Sequence, residues 1–137
     1  MIRIDGATKT YGAARVVDSV TTEIPRGGVT SIIGPNGAGK STLLGMVSRL
    51  QPLDGGSVSV GGLDVASTPS RELATRLAIL RQDNHLPLRL TVRDLVGFGR
   101  FPHSGGRPTA ADREHIEAAL DQLGLAALSG RYLDELS

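Results

Sequence analysis

The chain has 137 residues, 39% hydrophobic and 3% aromatic, with 18 glycines, no cysteine and a formal net charge of +1. Length and apolar share suit one globular domain, or most of one, and exclude a disordered segment; the core must be aliphatic. The charge gives no case for a nucleic-acid partner, the lack of cysteine excludes disulfides and thiolate metal sites, and no apolar run approaches the ~20 residues that span a bilayer.

The opening Met1-Ile2-Arg3-Ile4-Asp5 does not read as a signal peptide. Residues 3–10 and 16–24 place apolar side chains near alternation and predict two strands joined at Tyr11-Gly12-Ala13. Pro25-Arg26-Gly27-Gly28 predicts a turn, and the β-branched run Val29-Thr30-Ser31-Ile32-Ile33 a strand that leads into Gly34. Leu43, Leu44, Met46, Val47 and Leu50 have the spacing of a buried helix, stopped by Pro52 and Gly55-Gly56. Residues 57–60 predict a further strand, closed by Gly61-Gly62. Thr68-Pro69 predicts a helix start with proline in the first turn, ending near Arg76, and residues 77–80 another strand.

Beyond Asp83 the character turns helical. Thr91 to Asp94 and Thr109 to Asp112 both fit a capping box, in which a threonine and the acid three positions on bond each other's backbone. Ile116, Leu120 and Leu123 mark one face of the second helix, with Asp112, Glu114 and Glu117 read as its solvated face. Gly124 ends it, and residues 125–136 predict a further helical segment. Arginines strung from Arg71 to Arg131 are interleaved with acids and read as solvated faces. His85, His103 and His115 are scattered, with no metal-ligand spacing.

The spacing G-x-x-x-x-G-K-[ST] is met within Gly34-Pro35-Asn36-Gly37-Ala38-Gly39-Lys40-Ser41-Thr42. A triphosphate is a dense anion, best held by many N–H donors aimed at one point. Glycines let the backbone curl round it without Cβ clashes. A helix beginning near Lys40 adds its free N–H groups and positive dipole end. Lys40 can reach the β- and γ-phosphates, the Ser41 hydroxyl is a magnesium ligand, and Thr42 can bond the α-phosphate. The expected cofactors are ATP and Mg2+. The loop alone does not separate transport ATPases from kinases, GTPases or helicases.

The flanks narrow the choice. Tyr11-Gly12, Val17-Asp18-Ser19-Val20, Ile24-Pro25-Arg26-Gly27 and the loop run into Leu43-Leu44 resemble the start of ABC-transporter ATPase subunits. Gly55-Gly56-Ser57-Val58, Gly61-Gly62-Leu63-Asp64-Val65 and Leu77-Ala78-Ile79-Leu80-Arg81-Gln82 continue the likeness. Leu90-Thr91-Val92-Arg93-Asp94-Leu95-Val96 with Gly99-Arg100-Phe101-Pro102-His103 is most similar to the iron-siderophore importer branch.

The resemblance implies an α/β fold of P-loop NTPase type: an antiparallel β part, the P-loop strand and helix, and an incomplete parallel sheet. It implies a nucleotide-binding core over residues 1–84 and the start of a helical subdomain over 85–137. Tyr11 matches the aromatic that stacks on adenine; without the family it reads first as a tyrosine packing on a strand edge. Gln82 matches the glutamine that contacts magnesium or the attacking water and senses the membrane partner; unaided, it reads as an exposed glutamine. Arg81 stands where the family often has proline. With Lys40, Gln82 completes the catalytic groups expected of this chain, and with Ser41 the metal ligands.

Implied partners are a second ATPase subunit in a head-to-tail dimer, transmembrane permease subunits and, indirectly, an external substrate-binding protein. The implied location is the cytoplasmic face of the membrane, held peripherally. Alternatives are a nucleotide-binding module without turnover and a non-transport ABC-type ATPase.

Leu136-Ser137 coincides with the first residues of the family's Leu-Ser-Gly-Gly-Gln signature, and the second magnesium-binding aspartate, the catalytic glutamate and the switch histidine belong to later sequence. The expectation is that these 137 residues bind nucleotide weakly, do not turn it over alone, and fold marginally, because the P-loop strand lacks its parallel neighbours. Two decoys are set aside. Leu133-Asp134-Glu135 lacks the apolar run that precedes a catalytic aspartate-glutamate pair, and Leu128-Ser129-Gly130-Arg131 lacks the second glycine and the glutamine of the signature.

Overall fold

Alternating apolar and polar residues at the front of the chain build an antiparallel sheet in the computed structural model, which describes residues 1–80 and 89–136. β1 (Ile2–Tyr11) and β2 (Ala14–Ile24) form the hairpin that the sequence predicts. β3 (Gly55–Val60) pairs with the other edge of β1, and β4 (Leu63–Asp64) with β3, in the order β2-β1-β3-β4. Ile4 stands opposite Thr22 on one side and Val58 on the other. The inward positions then step from Ile4 to Ala7, and both ladders shift register across that step. Gly56 makes the shift possible. Its φ is +75°, and a Cβ there would lie 2.3 Å from the Gly6 carbonyl, so two backbones cross where only glycine fits.

α1 (Lys40–Val47) covers this sheet. Met46 and Val47 join Ile4, Ala7, Val17, Val58, Val60, Val65 and Leu73 in an aliphatic core. α2 (Ser70–Leu73) contributes Leu73. It is shorter than predicted: turns carry the chain on to Arg76, and Pro69 stands just before the helix. The two-residue β4 follows because Gly61-Gly62, both at positive φ, turns Leu63 back onto Val60.

The predicted strands over 29–33 and 77–80 carry no strand structure. A strand needs a neighbour to take its N–H and C=O groups, whatever its propensity. Among the described residues none pairs with these segments; Val29 is 96% exposed and Ile33 89%.

The chain divides into two compact units, Met1–Ile79 and Leu80–Ser137. In the second, Thr91 and Thr109 form the two predicted capping boxes, opening α3 (Val92–Phe98) and, after α4 (Phe101–Ser104), α5 (Ala110–Gln122). Val92, Ile116 and Leu120 make its core. Leu123 does not complete that face: it lies past the last helical residue and is 67% exposed. The segment 125–136 holds two 3-10 turns, Ala126–Leu128 and Leu133–Glu135, in place of a continuous helix. Leu133-Asp134-Glu135 therefore ends no strand.

Asp112 departs from its reading as a solvated acid. It is 4% exposed and accepts hydrogen bonds from the Thr109 N–H (2.9 Å), the Thr109 hydroxyl (2.8 Å) and Arg100 Nε (2.9 Å). Glu117 is exposed and paired with Arg93 on α3.

Candidate functional site

The loop 34–39 carries the chain into α1, whose first residue is Lys40. Gly39 stands before the helix with φ 84° and ψ 4°, and no side chain caps the helix start. The first turn holds no acid. The unsatisfied N–H groups and positive dipole end of the helix are thus not countered by local side chains. Within the loop, the Ala38 N–H donates to the Pro35 carbonyl at 3.3 Å.

Gly39 also fixes where the loop lies. A Cβ on it would sit 2.6 Å from the Val16 carbonyl oxygen and 3.3 Å from Val17 Cγ2, so the loop presses directly on β2. Lys40 folds back over the curl and donates from Nζ to the carbonyls of Gly34 (2.9 Å) and Pro35 (2.7 Å). Two clefts of about 280 Å³ flank the loop. One is lined by Val16 and residues 36–42, Ser41 and Thr42 included. The other is lined chiefly by Val17, Val20, Ile32, Lys40 and Leu43. The donor set, the ammonium beside it and the glycine that keeps the curl tight suit a compact, multiply charged anion.

The remaining expected residues lie apart from this cluster. Tyr11 ends β1, is 47% exposed and lines neither cleft. Its hydroxyl donates to Gln51 Oε1 at 2.6 Å, and Lys9 Nζ lies 5.6 Å from its ring centroid. Gln82, with Arg81 and His85, lies outside the described residues. A larger cavity, about 500 Å³, lies between residues 49–57 and 64–66. Four of its polar side chains are already engaged: Arg49 on the Thr68 carbonyl, Gln51 on Tyr11, Asp54 on Lys9 and Asp64 on Ser67. Among the described residues no group of three or more His, Asp or Glu side chains could hold a metal ion, and no helix is long and apolar enough to cross a membrane.

Sequence reasoning missed the contacts around Tyr11. Lys9 pairs with Asp54 at 2.8 Å, and the Thr10 N–H donates to the other Asp54 oxygen, also at 2.8 Å. No spacing rule links residues so far apart in the chain.

A family profile described as ABC transporter matches residues 17–137. The chain belongs to the ABC transporter family. Among ABC relatives, it is 52% identical over 137 residues to the petrobactin import ATP-binding protein FatE of Bacillus anthracis, covering 100% of this chain and 55% of that protein. It is 44% identical to the petrobactin import ATP-binding protein YclP of Bacillus subtilis strain 168, covering 100% and 54%. It is 38% identical to the ferric enterobactin transport ATP-binding protein FepC of Escherichia coli K12, covering 99% and 51%. The chain thus spans about half the length of the curated relatives it matches.

Solved structures agree on the fold. An ATP-binding cassette of an ABC transporter superposes with a TM-score of 0.78 at 29% identity, over 99% of this chain and 58% of that one. A dimeric cassette in a post-hydrolysis state, bound to ADP and Pi, gives 0.75 at 26% identity, over 100% and 63%. The α/β architecture is that of ABC ATPase domains.

Proposed function

We propose that this chain is the phosphate-gripping part of an ATP-binding subunit that couples ATP hydrolysis to iron-siderophore import. The observation that carries the reading is the loop 34–40. An uncapped helix start, a glycine pressed on β2 and a lysine folded over the curl form an anion cradle. The relatives, named for petrobactin and ferric enterobactin transport, support iron-chelate import as the class of work.

In this reading the N–H groups from Gly37 to Thr42 surround the β-phosphate, and Lys40 exchanges its two loop carbonyls for phosphate oxygens. Ser41 offers its hydroxyl to magnesium, and Thr42 bonds the α-phosphate. Magnesium, when bound, neutralises charge on the β- and γ-phosphate oxygens. Tyr11 stacks on adenine. Gln82 orients the attacking water and meets the permease, which sets the subunit peripherally on the cytoplasmic face of the membrane. Two such subunits pair head to tail, and turnover belongs to that pair.

The test is genetic. Lys40→Ala in the natural gene abolishes iron-siderophore uptake by cells that depend on this system. Uptake at the unaltered rate, with the variant protein present at normal abundance, overturns the proposal.

A further inference from the structure

We propose that Gln51 is a positioning residue for the nucleotide base: its side-chain carbonyl anchors the Tyr11 hydroxyl and so fixes the ring on which adenine stacks. The inference rests on the adenine role proposed above for Tyr11.

Tyr11 is the last residue of β1 and half-exposed, so burial alone does not choose its rotamer. Two contacts do. The hydroxyl donates to Gln51 Oε1 at 2.6 Å, and Lys9 Nζ stands over the ring at 5.6 Å from its centroid. Both partners are themselves held. Lys9 is 8% exposed and paired with Asp54 at 2.8 Å. Asp54 in turn donates its backbone N–H to the Thr8 carbonyl at 3.0 Å. The segment 51–54 is therefore fastened along the end of β1.

Within that segment Gln51 makes direct contact with α1. Its backbone N–H donates to the Gly45 carbonyl at 3.0 Å. Its side-chain stem fills the space beside Gly45, where an added Cβ would meet Gln51 Cδ at 3.2 Å and Cγ at 3.3 Å. α1 is the helix whose first residue is Lys40. Gln51 thus ties the proposed base-stacking ring to the same rigid element that presents the phosphate loop. With Lys9 over the ring and the hydroxyl tethered, Tyr11 as a residue remains 47% exposed.

The experiment compares calorimetric affinities of the full chain for magnesium-ATP and for magnesium-tripolyphosphate, which has no base. The variants are Gln51→Met, which keeps the stem against Gly45 but removes the acceptor, Tyr11→Phe, their double, and Tyr11→Ala. Gln51→Met and Tyr11→Phe each weaken ATP binding about 3- to 10-fold, the range of one hydrogen bond. The double variant is no weaker than either single, and tripolyphosphate affinity is unchanged throughout. Three results overturn the proposal: additive losses in the double variant; a parallel loss of tripolyphosphate binding in Gln51→Met, which would place its effect in the loop; or unaltered ATP affinity in Gln51→Met while Tyr11→Ala weakens it. If Tyr11→Ala leaves ATP affinity unchanged, the adenine role itself fails, and the positioning role with it.

Discussion

Lys40 donates to two neutral carbonyls, those of Gly34 and Pro35. A phosphate oxygen is a charged acceptor and makes a shorter, stronger bond with an ammonium, so in the proposed function an incoming phosphate would displace these contacts favourably. Asp112 shows what a single buried acid does for the helical unit. The Thr109 N–H, then the Thr109 hydroxyl, then Arg100 hold its carboxyl down to about 2, from an ordinary 3.8. A depressed folded-state value means that its stabilisation is complete above about pH 4 and is lost as pH falls from there towards 2. Helicity followed by circular dichroism across that window should fall in the native chain, and Asp112→Asn should flatten the dependence. A native profile identical to that of Asp112→Asn would contradict the assignment. The capping half of this arrangement was legible, since Thr109 and Asp112 have the right spacing. Arg100 was not, because it reaches Asp112 from the turn between α3 and α4, twelve positions away, and so the acid read as solvated.

Among the elements, Gly39 carries the most consequence. Gly39→Ala puts a Cβ 2.6 Å from the Val16 carbonyl and a side chain into the left-handed region, at about 1–3 kcal/mol of strain. The loop must leave β2. A thermal melt should show a lowered midpoint and calorimetry a loss of nucleotide affinity; wild-type values in both would refute the close approach. The capping boxes give a smaller effect. Thr91→Ala leaves the Asp94 N–H without its 3.1 Å acceptor and should cost the helical unit about 1 kcal/mol in denaturant unfolding. The hairpin, the loop-to-helix step and both capping boxes were legible because each is written in residues a few positions apart. The segments 29–33 and 77–80 read as strands because Val29, Ile32 and Ile33, and Leu77 to Leu80, are apolar. Pairing is a property of neighbours, and no local pattern supplies one. The Tyr11–Gln51 contact was illegible for the same reason: it spans 40 positions.

At the scale of the molecule, those unpaired segments leave apolar side chains on the surface: Val29 96%, Ile33 89% and Leu80 91% exposed. β-branched residues with open backbone groups invite pairing with another chain. A sample of these 137 residues should therefore self-associate with concentration in analytical ultracentrifugation. A sharp two-state melt of a monomeric sample would contradict that expectation. The matched cassettes are longer, this chain covering 58% and 63% of two of them. The central claim, that residues 34–42 grip the phosphates of ATP with magnesium, concerns one loop and is tested most directly by isothermal titration of magnesium-ATP into the native chain and Lys40→Ala. Losing charge-assisted contacts to phosphate should weaken binding by about 10- to 100-fold. Equal affinities for the two proteins would contradict the claim.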